Sequence, residues 1–205
     1  MLLGIDFCAS NYMNKKIILA SASPRRKELL KLIGLDFEVI PSDVEENIEN
    51  QFFSPELIEN LAVEKAADVA EKIGFDAIVI GSDTVVVINN KILGKPKDKK
   101  DAFNMLKLLS GKTHRVISAI AVIDTETGKT LKDFVVSDVI FKQLSDEEIN
   151  AYIETGEPMD KAGAYAIQGF AGMFVKSING CYSNIVGISV FKLAEMLKEL
   201  GVKLL

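Results

Sequence analysis

The sequence predicts an α/β protein built on a mixed, twisted sheet with flanking helices, and three observations carry that prediction. Short apolar runs alternate with helical stretches through the first half of the chain. Two long strand-like stretches follow, separated by a single polar turn. The length, 205 residues, suits one large domain or two small lobes sharing a cleft.

Ile17-Ile18-Leu19-Ala20 is a short apolar run, read as a buried strand. Ser23-Pro24 follows as a helix start, with a serine N-cap and proline at the first helical position. That helix carries Leu29, Leu30, Leu32 and Ile33 and stops at Gly34. A second strand is placed over Phe37 to Ile40. Ser54-Pro55 repeats the start signal ahead of a longer helix ending near Gly74, whose Ile58, Leu61, Ala62, Ala66, Val69 and Ile73 recur at helical spacing. Ala77 to Ile80 is another buried strand, followed by a hairpin around Asn89-Asn90.

Asp98 to Leu109 reads as a helix, with Gly111 as punctuation. Val116 to Ile123 and Leu131 to Ile140 are the two long strands, and Thr125 to Gly128 supplies their turn. Ser145-Asp146-Glu147-Glu148 is a capping box for a short helix running toward Ile153. After a glycine-punctuated loop, Met173 to Lys176 and Asn184 to Val186 are placed as strands. An amphipathic helix from about Ser189 to Leu200 closes the chain at Gly201. With no internal repeat or long linker, residues 15–205 are expected to form one domain. Residues 1–14 are expected to be a disordered leader, with Met13-Asn14-Lys15-Lys16 the more natural start.

The totals exclude several classes. With 24 basic and 29 acidic residues, a net charge of −5, the chain lacks the basic excess of a nonspecific nucleic-acid or membrane-surface binder. Its two cysteines, Cys8 and Cys181, rule out a disulfide scaffold and a cysteine-rich zinc site. No apolar run reaches the roughly 18 residues of a membrane span. A cytoplasmic protein is the expectation.

Chemistry can sit at a few places. Ser21-Ala22-Ser23-Pro24-Arg25-Arg26 joins a strand end to a helix N-terminus, where free N–H groups and the helix dipole favour an anion. Arginine's fork suits phosphate, although Ser-Pro by itself signals only a well-started helix. Asp83, in Gly81-Ser82-Asp83-Thr84 at the end of the Ala77–Ile80 run, is positioned either to bind a hard metal or to orient water, or else to form an Asx turn. Lys65 projects from an otherwise apolar helical stripe, where it either snorkels to the rim or meets a buried anion. Lys95, in Gly94-Lys95-Pro96, lies just beyond the hairpin. Asp43-Val44-Glu45-Glu46 is either a metal carboxylate source or a solvated loop. Gln168 stands in the glycine-punctuated stretch Gly163 to Gly169, able to meet a base edge or a loop backbone. The single histidine, His114, excludes histidine-rich zinc sites and is read as structural. No Walker loop or kinase signature is present.

Together these stretches resemble the Maf family of nucleotide pyrophosphatases. The resemblance runs through Leu19 to Arg26, Glu45-Glu46, Ala62 to Ala66, Gly81 to Thr84, Gly94-Lys95-Pro96, Leu109-Ser110-Gly111 and Asp160 to Gly169. It covers the chain from Lys16 onward. It implies two lobes around a central cleft, a fold related to the inosine triphosphate pyrophosphatases, and hydrolysis between the α- and β-phosphates of a nucleoside triphosphate. Arg25, Thr84 and Gln168 match the residues that set base choice in the subgroup acting on dTTP and UTP, as against the one acting on 7-methylguanosine triphosphate. Asp83 matches the proton acceptor, with Lys65 and Lys95 beside it, and Ser21, Ser23 and Arg26 match phosphate-binding positions. Asp83 and Glu46 are the implied ligands of Mg²⁺ or Mn²⁺.

One departure is Gly81-Ser82, where the family often has Gly-Ala; the extra hydroxyl is expected to bear on metal or water positioning without changing the reaction. The rival readings are a pyrophosphatase for noncanonical purine triphosphates and a regulatory nucleotide-binding protein that inhibits septum formation. The oligomeric state stays open, a homodimer being one option.

Overall fold

The computed structural model describes residues 15–45 and 51–204; the leader at 1–14 and Glu46 lie outside these. One seven-stranded sheet organises the chain, with strands β1 (Lys16–Leu19), β2 (Glu38–Val39), β3 (Ala77–Ile88), β4 (Lys91–Leu93), β5 (Thr113–Asp124), β6 (Thr130–Phe141) and β7 (Val175–Asn179). The order is β2-β1-β3-β5-β6-β7, with β4 also pairing β3. β1 runs parallel to β2 and β3, and the remaining pairs are antiparallel, so the sheet is mixed as the sequence predicts.

Helices α1 (Pro24–Leu32), α2 (Pro55–Lys72), α3 (Lys99–Leu109), α4 (Asp146–Glu154), α5 (Tyr182–Val186) and α6 (Val190–Glu199) cover it. Three of the start signals cap their helices through side-chain hydrogen bonds. The Ser54 hydroxyl accepts from Leu57 N–H at 3.2 Å, Asp98 accepts from Asp101 N–H at 2.7 Å, and Ser145 and Glu148 close the capping box. Asn89 and Asn90 both take positive φ, as a two-residue hairpin turn demands.

Alternation along β3 divides the core. Its odd positions Val79, Val85 and Val87 pack with α2 in one cluster. On the other face, Ile78 and Ile80 join α1 and α6, whereas Val86 and Ile88 join α3 and α4. Between those two apolar clusters lie Ser82, Thr84 and Ser118, so a polar strip separates two lobes on one face of a continuous sheet.

Two sequence expectations are corrected. The stretch Asn184–Val186 is helical and belongs to α5. Its asparagine amide bonds the backbone of β5 in place of joining a strand ladder: Ser118 N–H donates to Asn184 Oδ1 at 3.1 Å, and Nδ2 donates to the Val116 carbonyl at 3.0 Å. Met173 and Phe174 belong to a short 3-10 turn, and β7 starts only at Val175.

Candidate active site

The site exists because β3 has a gap along one edge. β1 follows β3 only to Ile80, whose carbonyl accepts from Ala20 N–H at 2.8 Å, and β4 rejoins at Val86. Among the described residues, positions 81–85 have no strand neighbour on that side. A cavity of about 440 Å³, within the usual range for ligand sites, opens there. Gly81-Ser82-Asp83-Thr84 therefore lies in mid-strand and not at a strand end as its sequence suggests. This places Asp83 and Thr84 on opposite faces of the sheet at the waist of one cavity.

On the α2 face, Lys65 Nζ donates to Asp83 Oδ1 at 2.6 Å, with the two residues only 6% and 4% exposed. Gly81 makes the approach possible. A Cβ there would lie 2.2 Å from the Ala62 carbonyl oxygen and 2.8 Å from Ala66 N, so only glycine lets this turn of α2 settle on the strand. Lys65 falls in that turn, which resolves its place in an apolar stripe: it meets a buried anion. Asp83 Oδ2 has no protein partner among the described residues, and Asp83 lines the cavity.

On the opposite face, the Arg26 guanidinium is built into the protein. Nε donates to the Gly187 carbonyl at 2.9 Å, Nη1 to Ser21 Oγ at 3.0 Å and Nη2 to Thr84 Oγ1 at 3.0 Å. Thr84 Oγ1 lies 3.0 Å from the Gly187 carbonyl and 2.8 Å from Ser118 Oγ. The structure thus brings together Ser21, Arg26 and Thr84, but as a strut joining β1, β3 and the end of α5. Ser82, fully buried, points the same way and reaches Gly187 O at 3.3 Å. Its extra hydroxyl lies on the face away from Asp83 and bears on the strut.

Arg25 Nε donates to the Val186 carbonyl at 3.3 Å, and Ser23 holds the N-cap position of α1 without bonding its own helix. Lys95 and Gln168 are exposed and line the cavity. All the expected site residues that the structure describes are therefore wall residues of one cavity; Glu46 lies outside the described residues. Among the described residues five basic side chains and two carboxylates line the walls, a balance suited to an anion. The second carboxylate is Asp160, held below the usual range by the Lys161 ammonium, with Arg25 contributing. Lys161, Gly187, Ser118 and Asn184 are cavity or strut residues that sequence reasoning missed. They act through contacts remote in sequence or through backbone atoms, so only the matching of Asp160 to Gly169 as a stretch hinted at any of them.

His114 is structural, as read. It is buried with Nε2 at 2.7 Å from the Tyr165 hydroxyl and edge-on to Phe141. Burial depresses its pKa from 6.5 to about 4. Among the described residues no three His, Cys, Asp or Glu side chains gather, and no helix is long and apolar enough to cross a membrane. The oxygen donors among the described lining residues are hard: the Asp83 and Asp160 carboxylates and serine hydroxyls. They fit Mg²⁺ or Mn²⁺, ions that a protein commonly holds through one or two carboxylates while water and substrate phosphates complete the shell.

A mixed α/β sheet whose open strand edge carries a buried carboxylate beside a cation-lined cavity defines an anion-handling protein with a hydrolase-type site. By sequence, the chain belongs to the Maf-like protein family, whose model matches residues 16–200. It is 58% identical over 185 residues to a dTTP/UTP pyrophosphatase of Alkaliphilus oremlandii, spanning 90% of this chain and 96% of that one. It is 51% identical over 190 residues to a dTTP/UTP pyrophosphatase of Desulforamulus reducens, spanning 93% and 99%. Among solved structures it is similar to a HAM1 protein from Coxiella burnetii, with a TM-score of 0.49 and 17% identity over 90% of this chain and 99% of that one. The family assignment rests on the sequence relatives.

Proposed function

We propose that this chain hydrolyses pyrimidine nucleoside triphosphates, dTTP and UTP foremost, to the monophosphate and pyrophosphate. The reading places it in the cytoplasm, acting on free nucleotides and not on nucleic acid or membranes. The observation that carries it is the buried Lys65–Asp83 pair at the wall of a cavity lined by cationic side chains. The names of the relatives supply the substrate class.

In this reading a water attacks the α-phosphorus in line with the departing pyrophosphate, and Asp83 Oδ2 takes its proton. Lys65 orients the carboxylate and balances its charge. Lys95, with the uncapped start of α1 at Ser23, neutralises the charge that develops on the phosphates. Arg26 acts mainly by fixing Ser21 and Thr84. Asp83, together with Glu46, would hold a Mg²⁺ or Mn²⁺ ion, which supplies polarisation of the phosphoryl oxygens. Arg25 and Gln168 face the base, and Thr84 holds that wall in place.

Competition among the common triphosphates tests base choice. Gln168→Ala is expected to blur the preference for uracil and thymine while the products stay monophosphate and pyrophosphate. Unchanged substrate ratios would place specificity elsewhere. Release of orthophosphate and a diphosphate in place of pyrophosphate would overturn the reaction itself.

A further inference from the structure

Gln168 is exposed on a turn, and an exposed turn discriminates poorly unless something holds it. The structure supplies the holder from behind. Tyr152, buried on α4, donates its hydroxyl to Glu157 Oε1 at 2.8 Å. The other carboxylate oxygen of Glu157 accepts from Phe170 N–H at 3.0 Å. One phenol and one carboxylate thus hold the Phe170 end of the segment 166–170, and Gly169 N–H closes the segment internally on the Ala166 carbonyl at 3.1 Å.

Two further features serve this grip. A Cβ on Gly169 would lie 2.2 Å from Glu157 Oε1, so the carboxylate fits only against glycine. The Tyr152 ring meets Phe174 edge-on at 5.2 Å, which ties the far end of the same 3-10 turn to α4. Neither Tyr152 nor Glu157 lines the cavity.

We propose that Tyr152 and Glu157 are positioning residues for base selection: they set the place of Gln168 at the cavity wall without touching the substrate. The inference rests on the reading that Gln168 faces the base. A loss of position of about 1 Å can cost ~10²-fold in a well-aligned site, and loosening one of two anchors should show as a smaller part of that.

The experiment compares kcat/KM for UTP, dTTP, CTP and GTP in the wild type and in Tyr152→Phe, Glu157→Gln and Gln168→Ala, each checked for a cooperative melt. Tyr152→Phe keeps the ring in the core and removes only the hydroxyl. Glu157→Gln keeps one acceptor and loses the other, so it serves if Tyr152→Phe fails to fold. The expected result is a drop of about tenfold in the ratio of UTP to CTP turnover in both anchor variants. The absolute rate on the poorest substrate should stay close to wild type, a pattern that a general loss of stability does not produce. If Gln168→Ala lowers the ratio and both anchor variants keep it within twofold of wild type, the anchor role is wrong and the reading of Gln168 stands. If Gln168→Ala leaves the ratio unchanged, the reading of Gln168 falls, and the anchor role falls with it.

Discussion

Replacing Gly81 by alanine tests whether the site depends on how closely α2 lies against β3. The new Cβ would sit 2.2 Å from the Ala62 carbonyl oxygen, 2.8 Å from Ala66 N and 2.9 Å from Ala66 Cβ. These distances are about 1 Å inside ordinary contact. None of the three atoms can rotate away, so the helix itself must retreat. Overpacking of this kind costs about 1–3 kcal/mol, and at ~2–4 °C per kcal/mol for a domain of this size the melting temperature should fall by about 2–12 °C.

Lys65 lies between Ala62 and Ala66, so a retreat of about 1 Å takes its ammonium from 2.6 Å to beyond hydrogen-bond reach of Asp83. Turnover should then drop by up to ~10²-fold. Thermal melting and steady-state pyrophosphate release measure the two effects separately. A variant that melts and turns over like the wild type would refute the packing argument. A lower melting temperature with unchanged turnover would show that the close approach serves the fold alone.

Asp83→Asn should lower turnover by about 10²–10⁴-fold through loss of the proton acceptor, and a folded variant with near wild-type rate would remove Asp83 from that role. Lys65→Met leaves Asp83 buried without its counter-charge, a loss of about 3–5 kcal/mol that denaturant unfolding will measure. Thr84→Val removes the acceptor that Arg26 uses and the hydroxyl facing Gly187; a cost of about 1–3 kcal/mol should appear in the same assay, with blurred base choice. His114 is neutral in the native state down to about pH 4, whereas the unfolded chain protonates it below about 6.5. Its contribution is therefore present above pH 6.5 and lost as pH falls toward 4, worth roughly 3 kcal/mol. His114→Gln should flatten the fall of unfolding free energy across that window, and equal slopes would contradict the assignment.

What could be read from the sequence was local. Ser54-Pro55, Asn89-Asn90 and the Ser145–Glu148 box act through neighbours two to four residues away, so their letters suffice. Lys65 was visible because a charge on an apolar helical stripe is a contradiction that needs a partner. The site as an assembly was less legible. Ser82-Asp83-Thr84 looks like a loop because three polar residues interrupt a buried strand, and only the gap between β1 and β4 explains why the strand continues through them. Arg26 reads as a phosphate ligand, but the sequence does not show that its guanidinium also bonds Gly187, Ser21 and Thr84, partners separated from it by as many as 161 positions. Asn184 to Val186 reads as a strand, but the buried Asn184 amide braces β5 from helix α5. The Tyr152–Glu157 grip had no local signal, since it joins the end of one helix to a turn more than a dozen residues on.

Pyrophosphate release from a panel of nucleoside triphosphates, with Mg²⁺ or Mn²⁺ and then with excess chelator, tests the central claim most directly. The account predicts pyrophosphate and a monophosphate in equal amounts, fastest for dTTP and UTP, abolished by chelation and by Asp83→Asn. A folded protein that binds these nucleotides and releases no pyrophosphate from any of them would contradict it.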